Sequence, residues 1–147
     1  MNAHIWRYRD NQSNYPGYHL SADDGACVAL LAWLHNPGKQ TEFRLQPVTQ
    51  EVLNVPNNQG GLAAYVSCTQ FKLQNKTNVD PRYFLFSEKS GRLTLECSHQ
   101  QGELIIKGVE DIMRGEGDYS IGTGQNQALW FWWYPRLQTA KMTKQTK

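Results

Sequence analysis

Six consecutive residues, Leu129-Trp130-Phe131-Trp132-Trp133-Tyr134, carry side chains too large and apolar to be left in water as a group. In an extended strand successive side chains alternate between faces. Leu129, Phe131 and Trp133 then share one side, and Trp130, Trp132 and Tyr134 the other. Rings on both faces fit a central strand in a sheet that is covered on both sides. The alternative leaves one face, with Trp130 and Trp132, open as a recognition surface or as a platform for stacking on a sugar ring. Either way the chain needs a sheet and a layer that packs on it.

The layer is legible near the start. Residues 26–34 are an unbroken apolar run, too short to span a bilayer, which takes about 20 residues. Cys27, Leu30, Leu31 and Leu34 repeat at i, i+3, i+4 and i+7, while Val28, Ala29, Ala32 and Trp33 make the other faces apolar too. This predicts a largely buried helix over residues 22–35. Ser21, three residues before Asp24, resembles a capping box, and Asn36-Pro37-Gly38 stops the helix.

The rest reads as strand and turn. Residues 5–9 form a short strand, followed by a turn-rich loop through Asn11, Asn14 and Tyr15-Pro16-Gly17-Tyr18. A strand over residues 42–48 turns Phe43 and Leu45 inward. Residues 62–73 change apolar phase, so a bulge or bend is expected near residues 68–70. A three-strand meander is expected over residues 83–87, 92–98 and 103–109, with a helical turn over 110–114. Residues 119–121 and 129–134 then pair around the loop 122–127. The expected fold class is α+β: one buried N-terminal helix packed on a mostly antiparallel sheet of five to seven strands. Residues 1–134 form one domain, and 135–147 form a polar, basic C-terminal tail.

Charge narrows the partners. Residues 1–134 hold 11 basic and 13 acidic groups, and four further basic residues (Arg136, Lys141, Lys144, Lys147) lie in the tail without an acid. A slightly acidic body lacks the broad basic footprint that phosphate binding needs, so nucleic acid is not expected as the main ligand. Residues 1–10 contain no continuous apolar segment of the kind that directs export, which gives a cytoplasmic expectation with no membrane contact. Three cysteines without a Cys-x-x-Cys pair fit reduced, buried thiols.

No catalytic residue, cofactor or metal site is read from the chain. Cys27 follows Asp23 and Asp24, which oppose a thiolate, and its helical phase places it in the core. Cys97 and His99, two apart on an expected strand, supply two donors where a structural zinc needs four. The glycines at 115, 117, 122 and 124 lack the Gly-Lys-Ser/Thr of a phosphate loop. The densest acidic stretch, residues 103–118, contains Glu110, Asp111, Glu116 and Asp118. Together with Tyr119, Trp130 and Trp132 these acids make a candidate surface for a basic protein partner.

The segment Gly115-Glu116-Gly117-Asp118-Tyr119-Ser120-Ile121, leading into the aromatic final strand, resembles the small immunity proteins of bacterial polymorphic-toxin and contact-dependent inhibition systems. The resemblance covers the last third of the chain. It implies a domain without catalysis of its own that binds one cognate toxin domain and blocks its active site. Nuclease-neutralising members are often strongly acidic, which this body is not. Two other classes stay open: a small-ligand or carbohydrate module using Trp130 and Trp132, which needs a concave pocket beside them, and a hydrolase using the acidic loop.

Overall fold

A computed structural model describes residues 1–9, 15–36, 42–56, 64–124 and 127–135. The basic tail beyond Pro135, Leu62, the stop at Pro37-Gly38 and the loop residues Gln125 and Asn126 lie outside the described residues. The fold is α+β, as expected. Its nine described strands form two sheets instead of one, and three helices accompany them.

The first sheet is built from β1 (Ala3–Tyr8), β2 (Tyr18–Ala22), β4 (Tyr65–Ser67), β8 (Tyr119–Gly124) and β9 (Gln127–Phe131), in the order β4-β1-β2-β9-β8. β9 runs parallel to β2 and antiparallel to β8, with two neighbours and no free edge. Leu129 and Phe131 enter the main core, and Trp130 and Trp132 join a second cluster with Trp6 and Tyr8. The first half of the aromatic block, through Phe131, is therefore a strand covered on both faces; the strand expected over residues 129–134 ends there, and Trp132, Trp133 and Tyr134 lie beyond it.

The second sheet has the order β3-β5-β7-β6, from β3 (Phe43–Arg44), β5 (Gln70–Lys76), β6 (Phe84–Lys89) and β7 (Arg92–Ser98). The phase change expected near residues 68–70 marks a change of sheet. Cys68 N–H donates to the Ile5 carbonyl in the first sheet, and Thr69 N–H donates to the Gly91 carbonyl beside the second. One apolar core joins the inner faces of both sheets to α1 (Asp24–His35) and α3 (His99–Met113).

Three expectations are corrected. Residues 18–22 are a strand, not the end of a loop. Ser21 is buried on β2 with its Oγ donating to the Trp132 carbonyl, and the cap of α1 is Asp23, whose carboxylate accepts from Ala26 N–H. Residues 103–114 are not a third meander strand and a single turn; they belong to α3, capped by Ser98. Ile105, Val109 and Ile112 pack inward at helical spacing, and Leu104 is left 41% exposed. Gly102 and Gly108 lie on the same buried face, where a Cβ at Gly108 would stand 2.3 Å from the Phe131 ring. Finally, α2 (Gln50–Leu53), capped by Thr49, covers the second cluster with Val52 and Leu53. None of the described helices is long and apolar enough to cross a membrane.

Candidate functional site

The acidic residues converge where α3 hands over to β8. Asp111, in the last turn of α3, is 5% exposed and is surrounded by donors. Tyr119 Oη donates to its Oδ2 at 2.6 Å, Lys107 Nζ stands 3.6 Å away, and the Arg114 guanidinium completes the set. The Tyr119 hydroxyl, and then the two cations, hold the Asp111 carboxyl below the usual carboxylate range. Burial first, and then the bond to Asp111, pushes the Tyr119 phenol up, so it remains a donor.

This network braces a turn that the backbone also fixes. Glu116 N–H donates to the Asp111 carbonyl at 2.8 Å, Gly115 N–H to Ile112 at 2.9 Å, and Asp118 N–H to Phe131 at 2.7 Å. Asp118 is held at φ 73°, a left-handed conformation in which Asp and Asn are among the few tolerated side chains. Gly117 passes so close to the end of β9 that a Cβ would lie 2.7 Å from Trp133 N, so a side chain is excluded there. Glu110, Glu116 and Asp118 are left exposed on this turn. Asp111 braces it and does not itself face a partner.

The aromatic members separate. Trp132 is 2% exposed and donates from Nε1 to His19 Nδ1 at 2.9 Å inside the second cluster, so it presents no ring to a partner. Trp130 is half-buried, with Nε1 bonded to the Pro16 carbonyl and its ring against Tyr15. The most exposed tryptophan is Trp133, 38% exposed, whose backbone runs directly beside Gly117. Sequence alternation placed Trp133 on the face of Leu129 and Phe131 and offered Trp130 and Trp132 as the recognition rings; β9 ends at Phe131, so the alternation stops before Trp133. Beside the turn, β8 is an edge strand that among the described residues pairs with β9 alone, and Ser120, Gly122, Thr123 and Gly124 are exposed along it.

The competing chemistries find less. A cleft of about 270 Å³ lies between the two sheets, lined by Arg7, Arg9, Tyr18, Glu88, Pro16 and Gln127, and neither Trp130 nor Trp132 lines it. Its Glu88 accepts from Arg7 Nε and from Tyr18 Oη, both at 2.7 Å. Burial raises the Glu88 carboxyl, but those bonds outweigh it and hold the group below its ordinary value. Nothing in the chain's local pattern announced this trio. The three thiols are buried, and burial pushes Cys68 and Cys97 up to about 12, far from a nucleophilic thiolate. Cys97 ends β7 in the core while His99 opens α3 in solvent, so they do not share a strand face. Among the described residues no group of three or more His, Cys, Asp or Glu side chains could hold a metal. The exposed acids stand on an open turn, without the enclosed, paired carboxylates that a hydrolase uses. Compared with known proteins, the chain matches no family model, no curated sequence and no solved structure.

Proposed function

We propose that this is a cytoplasmic, non-enzymatic protein-binding domain acting as an immunity protein, which seats on a cognate toxin domain and occludes its active site. The observation that carries the reading is the braced turn: Asp111 ties α3 to Tyr119 and leaves Glu110, Glu116 and Asp118 pointing outward beside Trp133 and the open edge of β8. Each part has a distinct use in recognition. Carboxylates on a rim steer a basic partner and raise the encounter rate. An exposed indole is the residue type most often found as a binding hot spot. An unpaired strand edge offers main-chain donors and acceptors to an extended segment of the partner. Because the turn is already rigid, little ordering entropy is lost when it docks.

The test pairs the chain with the toxin domain encoded in the adjacent reading frame. Co-expression is expected to suppress the toxicity. Changing both Glu110→Lys and Glu116→Lys is expected to slow association by about tenfold at low salt and by less at high salt, since screening weakens rim charges. Asp118→Asn, which tolerates the same backbone, is expected to act in the same direction with a smaller effect. Failure of the chain to suppress toxicity, or association rates unchanged in these variants across salt, overturns the reading.

A further inference from the structure

The outer face of the second sheet carries the opposite charge. Along β5, β6 and β7 the residues Phe71, Leu73, Phe84, Phe86, Leu93, Leu95 and Cys97 are buried, and those between them point to solvent. The strand registers set the outward residues in rows: Arg44, Gln70, Arg92 and Lys89, then Lys72, Thr94 and Ser87, then Gln74, Glu96 and Leu85. Arg44, Lys72, Lys89 and Arg92 form no ion pair among the described residues; two acids lie on this side, Glu96, which is spoken for by Lys76 and the Tyr83 hydroxyl, and Glu42, two residues before Arg44, so the cations remain in excess. Lys89 stands directly opposite Arg92 across the β6–β7 pair, and like charges in that position oppose folding. Outside the described residues the sequence holds a single acid, Asp10.

We propose that this face is a docking surface for a short acidic polypeptide segment, separate from the acidic turn at the end of α3. Charge complementarity selects an anionic partner, and three further features select a polypeptide. The face is three strands wide, and four where β3 pairs with β5, whereas the DNA major groove admits a helix or a two-stranded ribbon. No aromatic ring stands free on it for base stacking, since Tyr83, at its margin, is tied to Glu96. Gln74, Thr94 and Ser87 interleave the cations with amide and hydroxyl groups that can bond a peptide backbone, and Leu85 adds an exposed apolar contact. At about 4.8 Å between strands the face is roughly 15 Å wide, and its seven-residue strands run about 23 Å at about 3.3 Å per residue. The resulting area of about 350 Å² is well short of the about 800 Å² per partner of a full-sized interface, which is why a segment and not a whole domain is the fitting occupant.

The test uses a fluorescent oligo-glutamate peptide about eight residues long, enough to cross the face in extended form at about 3.3 Å per residue. Its anisotropy is expected to report binding to the intact protein that weakens as salt rises. Lys72→Glu with Arg92→Glu is expected to lower the affinity at least about tenfold without lowering the melting temperature, and Arg9→Gln, on the other sheet, to leave it unchanged. Lys89→Glu replaces a like-charge cross-strand pair with an opposite-charge one, so it is expected to raise the melting temperature while weakening the peptide. Absence of binding, or equal loss in Arg9→Gln, overturns the proposal. So does tighter binding of an oligothymidylate of similar length that the same double substitution abolishes, which reassigns the face to nucleic acid.

Discussion

His19 is fully buried in the second cluster, with the rings of Trp6, Trp130 and Trp132 stacked near it and Tyr8 against it edge-on. Indole N–H can only donate, so the bond from Trp132 makes Nδ1 the acceptor and leaves the proton on Nε2, which donates to the Tyr15 carbonyl at 2.9 Å. Burial pushes the His19 pKa down to about 3, with the bond to Tyr15 opposing it, and His4, also buried, is lowered in the same way. The linkage follows from the sign. The unfolded chain takes up a proton near pH 6.5 and the folded chain does not, so stability is full above that value and falls as pH drops toward the folded pKa. Urea melts between pH 7 and 4.5, above the range where carboxylates dominate, are expected to show stability falling as the buried histidines are forced toward charge, by up to about 1.4 kcal/mol per pH unit for each. His19→Gln is expected to lower stability at pH 7 and to flatten that dependence; a wild-type profile flat over this window contradicts the neutral, buried assignment. The sequence offered no hint of this role. His19 fell between a loop read through Tyr18 and a helix cap expected at Ser21, and its partner Trp132 lies 113 residues away.

The two long helices differ in how plainly the sequence announced them. α1 was visible because its inward positions, Cys27, Leu30 and Leu34, are large and regularly spaced within an unbroken apolar run, and only its cap was misplaced by two residues. α3 was misread as a strand because two of its inward positions are glycines, which carry no hydrophobic signal, while Leu104 and Ile106 alternate like strand residues. Those glycines are small for a reason that acts only in the folded molecule. Gly108 lets α3 settle on the buried Phe131 ring, and Gly102 meets the Asn75 side chain at a distance a Cβ would shorten to 2.8 Å. Gly108→Ala gains about 1 kcal/mol of helix propensity but drives a methyl into a ring that has no space to yield. The expected net is a loss of at least about 1 kcal/mol in denaturant melts. Phe131→Leu costs stability alone, and in combination with Gly108→Ala the costs are expected to be less than additive, because the smaller side chain relieves the clash. Strict additivity would place the helix farther from β9 than described.

At the scale of the molecule, what joins the two sheets beyond their shared core is polar and remote in sequence. Arg7 on β1 meets Glu88 on β6 across 81 positions, Tyr18 on β2 donates to the same carboxylate, and the Gln127 side chain accepts from Phe86 N–H on the edge of β6. Sequence patterns report local period and phase, which is why the α+β class, the buried thiols and the covered aromatic strand were legible. The division into two sheets and the Arg7–Glu88–Tyr18 tie were not, because pairings between distant strands leave no periodic trace. Glu88→Ala strands one cation and one phenol at the mouth of the inter-sheet cleft; with the Arg7 guanidinium partly solvated and the Tyr18 phenol buried, the expected loss is about 1 to 2 kcal/mol. Adding Arg7→Ala is expected to cost little more, and a second loss of equal size would show that the two side chains do not act as a unit. The position of β9 has a consequence for how the chain comes to be folded. It is the last of the described strands to be synthesised, yet it occupies an interior slot, parallel to β2, which was made more than a hundred residues earlier. A nascent chain on the ribosome therefore carries a β1–β2 hairpin whose β2 edge stays open until residues 127–131 emerge. Only at that late moment do the first sheet and both of its clusters close, which concentrates the risk of aggregation in the interval before it.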